Sequence, residues 1–121
     1  MRLLLVDDDE SNRLTLAVLL EDEGYEVDVA ASFAEARAKI VAPGAAYDGV
    51  LLDQHLGDGL GLDLLGAVRR HLPGAKAVLI SGSISELEGS SCGADGVLPK
   101  AMPFPEALAV IRRALGEPAS V

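Results

Sequence analysis

The chain has 121 residues, 50% of them hydrophobic and 24% charged, which suits one domain with a buried core rather than a disordered polymer. Net charge is −9, and all of it lies in residues 1–60, where 4 basic residues face 13 acidic ones; residues 61–121 hold 6 of each. So acidic a surface repels phosphate backbones, which argues against direct nucleic-acid binding.

Two Phe and two Tyr are the only aromatics, so Leu, Val, Ile and Ala must fill the core. The lone Cys92 excludes an internal disulfide and has no Cys or His neighbour at zinc-site spacing. The apolar start, residues 3–6, stops at Asp7, too soon for a signal peptide or a membrane span. A cytoplasmic protein without membrane association is expected.

In chain order, apolar runs at residues 3–6, 27–30, 50–52, 77–80 and 96–98 predict five short buried strands. A first helix is predicted over 11–23, stopped by Gly24. Ser32 and Glu35 have capping-box spacing, and Phe33, Ala36 and Ile40 then share one helix face before Pro43-Gly44. A third helix is predicted over 61–71. The last, over 105–115, aligns Phe104, Leu108, Ile111 and Leu115 and carries Arg112 and Arg113 near its negative end. Between strands four and five, the Gly/Ser-rich residues 84–93 predict a weak helix at most. Alternating strands and helices imply a parallel sheet covered on both faces. In such sheets ligands bind at the carboxyl ends of the strands.

Those ends are polar. Strand one runs into Asp7, Asp8 and Asp9, strand three into Asp53 and strand four into Ser81, while Lys100 follows strand five. Crowded carboxylates raise one another's pKa unless a cation compensates. A hard divalent ion such as Mg²⁺ does so with oxygen ligands. Adding a lysine and a hydroxyl completes a site for a phosphoryl group, at which a carboxylate can be the nucleophile. Taken singly, each residue has a plainer explanation: an acidic run is a solvated helix start, Ser81 a loop residue, Lys100 a surface charge. Their joint placement at four strand ends is what points to chemistry.

Leu4-Leu5-Val6-Asp7-Asp8-Asp9, Tyr47-Asp48-Gly49-Val50-Leu51-Leu52-Asp53, Gly61-Leu62-Asp63-Leu64-Leu65, Val78-Leu79-Ile80-Ser81-Gly82 and Gly93-Ala94-Asp95-Gly96-Val97-Leu98-Pro99-Lys100 resemble, in order and spacing, the receiver domain of bacterial two-component response regulators. The resemblance covers essentially the whole chain. It implies an α/β fold: a flavodoxin-like three-layer sandwich around a doubly wound, five-stranded parallel sheet of order 2-1-3-4-5. One receiver domain over 1–121 is expected, with 116–121 as a tail or the start of a linker. It further implies that Asp53 is the phosphoacceptor and that Asp7, Asp8, Asp53 and the backbone carbonyl of His55 hold Mg²⁺. Ser81 and Lys100 would bind the phosphoryl oxygens. The donor would be a phosphohistidine on a sensor histidine kinase or phosphotransfer domain, and an output protein or domain would read the result. Catalysis would be limited to the chain's own phosphorylation and dephosphorylation.

Several residues depart from the family pattern. Gly57 stands where the family usually has Pro, and Val97 stands at the aromatic switch position. The family's lysine is followed by a cis proline, whereas Lys100 is followed by Ala101 and Met102. A cis bond there would cost ~2.5–4 kcal/mol, so the loop is expected to take another shape while keeping Lys100 within ~4 Å of Asp53. The interval from Ser81 to Lys100 is also short, and any switching is expected to run through residues 81–93. His55 occupies a position that tunes phosphoryl loss in the family; its plainer role is a solvent-facing loop histidine. Two other functions fit less of the pattern. One is a phosphorylation-independent adaptor. The other is a haloacid-dehalogenase-type phosphatase with Asp7 as nucleophile, which leaves Asp53 without a role.

Overall fold

The computed structural model describes residues 1–82 and 93–117. Its elements are β1 (Arg2–Val6), α1 (Glu10–Asp22), β2 (Glu26–Ala30), α2 (Phe33–Val41), β3 (Gly49–Asp53), the short strands β4 (His55–Leu56) and β5 (Gly59–Leu60), a 3₁₀ turn (Gly61–Leu64), α3 (Leu65–His71), β6 (Lys76–Ser81), β7 (Gly96–Pro99) and α4 (Phe104–Ala114). Five strands pair in parallel in the order β2-β1-β3-β6-β7. Counted along the main sheet alone, this is the expected 2-1-3-4-5.

Alternating side chains explain why the strands read as unbroken apolar runs. Leu4, Val6, Val50, Leu52 and Leu79 point to one face, where α2 and α3 cover them with Ala36, Ile40, Leu65 and Val68. Leu3, Leu5, Leu51 and Val78 point to the other, against Ala17 and Leu20 of α1 and Leu108 and Ile111 of α4. Each large aliphatic side chain removed from water contributes ~1.5–3 kcal/mol, so both layers hold the sheet between them. The register then fixes one edge: Val6 pairs with Leu52, Asp53 with Ile80, and Ser81 with Pro99. Asp7, Asp53, Ser81 and Lys100 therefore leave the sheet side by side.

The helix limits lie within one residue of the sequence expectations for α1 and α4, as fraying ends allow. The stretch 61–71 divides into a 3₁₀ turn and the shorter α3. Unforeseen is the antiparallel hairpin β4–β5, with Gly57 and Asp58 at its turn. Apart from Gly93, the weak helix expected over 84–93 lies outside the described residues, together with Cys92 and residues 118–121. Among the described residues no peptide bond is cis, Lys100–Ala101 included. No described helix is long and apolar enough to cross a membrane.

The hairpin completes the start of α2. Ser32 Oγ accepts from the Glu35 N–H at 3.1 Å, as the capping-box spacing anticipates, while Glu35 Oε1 reaches back one residue beyond the cap and accepts from the Ala31 N–H at 2.8 Å. The N–H groups of Phe33 and Ala34 in the same turn donate to Asp58 at 2.8 and 3.1 Å. These two bonds hold the exposed Asp58 carboxyl below its ordinary pKa. A lowered folded-state pKa stabilises the fold above the unfolded value and ceases to do so as pH falls through the folded one. Asp58→Ala should accordingly lower stability in urea melts at neutral pH, with the deficit shrinking towards about pH 3. A deficit that is unchanged in acid would rule out this capping role.

Candidate functional site

Asp53 ends the fully buried β3 and is itself only 1% exposed. A buried carboxylate is costly unless it is paired and hydrogen-bonded. Lys100 Nζ meets Asp53 Oδ2 at 3.0 Å, and the His55 N–H donates to Oδ1 at 3.3 Å. Lys100 reaches Asp53 through a trans loop, with no proline directly after it. The Lys100 N–H donates to the Ser81 carbonyl at 2.9 Å, so the chain beyond β7 stays tied to the end of β6. Ser81 is fully buried at that end.

The acidic run after β1 divides into two kinds of residue. Asp9 caps α1, its carboxylate accepting from the Asn12 N–H at 3.2 Å, and Glu10 sits in the first turn, where the helix dipole favours negative charge. Those two are the solvated helix start. Asp7 and Asp8 instead face the site: carboxylate oxygens of Asp7, Asp8 and Asp53 lie within 4.8 Å of one another. Asp7 is buried; its Oδ1 accepts from the Asp9 N–H at 2.9 Å, and its carbonyl accepts from Arg13 Nη1 at 3.0 Å. Asp8 is exposed.

The electrostatics follow from this crowding. Burial pushes the Asp7 pKa above its ordinary value, and the Asp53 charge and a shared hydrogen bond with Asp53 add to the rise; the Asp9 N–H and Lys100 oppose it. Burial works against the charge on Lys100, but its bond to Asp53 and the fields of Asp53, Asp7 and Asp8 outweigh this and raise its pKa. One ammonium thus faces three acidic side chains. The donor set is all hard oxygen and carries excess negative charge, which fits a divalent cation such as Mg²⁺.

His55 lies exposed at the start of β4, two residues beyond Asp53. His71 ends α3, away from the carboxyl edge, and Val97 lies half-buried in β7. Three roles in and around the loop after Asp53 were not anticipated. Gln54, buried, accepts from the Leu62 N–H through Oε1 at 2.9 Å. Gly61 passes so close to Asp53 that a Cβ there would collide with the Asp53 carbonyl. Asp58 links the hairpin to α2. The sequence signals available were the Asp58-Gly59 dipeptide, a turn former, and the place of Gly61 in one of the motifs that carry the resemblance.

A raised carboxyl pKa has a definite consequence for stability. Ionising Asp7 costs the folded state stability above the unfolded pKa, and that cost vanishes below it. Asp7→Asn keeps an oxygen for the Asp9 N–H while removing the charge. The metal-free variant should melt about 2–6 °C higher at neutral pH, and the gain should fade below about pH 4. Calorimetry in chelator at both pH values tests this, and a variant that melts lower at neutral pH contradicts it.

Known proteins share this fold. The family described as "Response regulator receiver domain" matches residues 3–112. The photosynthetic apparatus regulatory protein RegA of Cereibacter sphaeroides is 39% identical over 80 residues, which are 66% of this chain and 42% of RegA. The chain thus spans less than half the length of that relative. A response regulator receiver domain protein (CheY-like) from Methanospirillum hungatei JF-1 is 32% identical with a TM-score of 0.81, covering 95% of this chain and 93% of that one. The response regulator TrrA from Thermotoga maritima, in complex with Mg²⁺-BeF, is 30% identical with a TM-score of 0.81, covering 93% and 97%. With a family match that runs from β1 to α4, the chain belongs to the receiver domains of response regulators.

Proposed function

We propose that this chain accepts a phosphoryl group on Asp53 from a phosphohistidine, borne by a sensor histidine kinase or a histidine phosphotransfer domain, and passes the signal on by a change of conformation. The observation that carries this is a buried Asp53 held by Lys100 at 3.0 Å, with the Asp7 and Asp8 carboxylates within 4.8 Å. An Asp53 carboxylate oxygen attacks phosphorus, the N–P bond breaks and the imidazole leaves with its electron pair. Lys100 moves from the free carboxylate towards the oxygens of the new acyl phosphate, and Ser81 supplies a hydroxyl to the same group. Hydrolysis of that acyl phosphate resets the site, so catalysis is confined to the chain's own modification.

Asp7, Asp8, Asp53 and the backbone carbonyl of His55 are the residues that would hold Mg²⁺. When bound, the ion offsets the charge of the carboxylates and of the incoming phosphoryl group. A receiver domain over residues 1–121, with 116–121 as tail or linker, acting in the cytoplasm on an output protein or domain, completes the proposal. It is consistent with the short share of RegA that the chain spans.

Incubation with acetyl phosphate and Mg²⁺, followed by intact-mass measurement, is the direct test. The wild type should gain one phosphoryl group, whereas Asp53→Asn, or wild type in excess chelator, should fall at least about 100-fold in rate, since nucleophile and charge compensation are both essential. Full modification of Asp53→Asn would falsify the assignment. A wild type that gains nothing would instead favour an adaptor that works without phosphorylation.

A further inference from the structure

A buried amide sits directly beside the proposed phosphoacceptor. After Asp53 the chain makes the β4–β5 hairpin and returns at Gly61 and Leu62. Both returning N–H groups end on one residue: Gly61 donates to the Gln54 carbonyl at 2.9 Å, and Leu62 donates to Gln54 Oε1 at 2.9 Å. The Gln54 N–H in turn donates to the Ile80 carbonyl at 2.8 Å, anchoring the same residue to the sheet. Gln54 thus closes the base of the loop 55–60. Closed in this way, the chain brings Gly61 so near the Asp53 carbonyl that a Cβ at Gly61 would collide with it.

His55 is the first residue of this loop, and its N–H is fixed on Asp53 Oδ1 at 3.3 Å. The pleat separates the two roles. Asp53 continues the face of Leu51, towards α1 and α4, while Gln54 continues the face of Leu52, towards α2 and α3. Gln54 Oε1 is engaged by the Leu62 N–H at 2.9 Å while Asp53 Oδ2 is engaged by Lys100 at 3.0 Å, so the amide acts from behind the acceptor.

We infer that Gln54 is a positioning residue: its side chain holds the 55–60 loop so that the His55 backbone is presented to Asp53. This rests on the proposed phosphoryl transfer for its purpose, but its geometry can be tested apart from it. An aliphatic residue of the same length would fill the space yet leave the Leu62 N–H without its acceptor, and a buried donor stripped of its partner is strongly unfavourable. The loop then opens at its base, and the His55 N–H spends less time on Asp53.

Gln54→Met removes the acceptor at constant length, and Gln54→Asn keeps an amide too short to reach Leu62; either suffices if the other fails to fold. In metal-free folded protein, hydrogen exchange at the His55 and Leu62 amides should speed up about tenfold, the weight of one lost hydrogen bond. By calorimetric titration, Mg²⁺ should bind about fivefold or more weakly. Phosphorylation by acetyl phosphate at fixed Mg²⁺ should slow by a similar factor. A merely structural role would lower the melting temperature and leave the Mg²⁺ constant of the folded protein unchanged; that result overturns the inference. So does unaltered exchange at His55, whatever the wild type does with acetyl phosphate. A wild type that is not phosphorylated, with exchange still accelerated in the variants, overturns the phosphoryl-transfer proposal and leaves the positioning role supported.

Discussion

Three acidic side chains crowd one edge of a parallel sheet, and one ammonium answers them. Much of the rest of the structure serves this imbalance. Parallel pairing brings the ends of β1, β3 and β6 level, so Asp7, Asp53 and Ser81 emerge together. Two apolar layers hold the strands rigidly enough that repulsion between the carboxylates cannot relax by spreading the edge. The raised pKa of Asp7 and of Lys100 are two expressions of the same strain: burial and like charge resist ionisation of the acid, while surrounding acid stabilises the base. A site built this way, all hard oxygen with excess negative charge, favours a divalent cation.

The loop beyond Asp53 is where the chain invests in order. A hairpin of four paired residues has little stability of its own. Here it is fastened at its base by Gln54 and at its turn by Asp58, which also completes the N-terminus of α2. The position where the family usually places Pro is Gly57, in the turn of this hairpin. Backbone rigidity that a proline ring supplies by fixing φ is here supplied by hydrogen bonds to side chains. The same substitution of means is seen at Lys100: without a following cis proline, the Lys100 N–H to Ser81 carbonyl bond keeps the residue against β6, and its side chain still reaches Asp53.

Much of this was legible in the order of residues. Strand positions, the two-sided burial of the sheet, the cap at Ser32 and the gathering of Asp7, Asp8, Asp53, Ser81 and Lys100 all follow from local patterns plus one topological rule, that parallel βα units put their strand ends on one edge. Each of those signals is periodic or adjacent in sequence. Composition and spacing alone do not separate Asp7 from Asp9; the resemblance does, and the turn into α1 gives the physical reason, making Asp9 a cap and sending Asp7 inward.

What tertiary structure alone decided are the contacts between residues far apart in the chain. Asp58 caps a helix that begins 25 residues earlier, Gly61 owes its lack of a side chain to the Asp53 carbonyl, and Gln54 owes its buried amide to Leu62. The partners in these contacts leave no period in the sequence, because a contact across space constrains only the two groups that make it. The sequence by itself determined the sheet, its layers and the chemical character of its edge, since hydrophobic periodicity is repeated many times over and tolerates single exceptions. How the loop after Asp53 is shaped and which carboxylate is buried rest on single distances of a few ångström, and those exist only once the chain has folded.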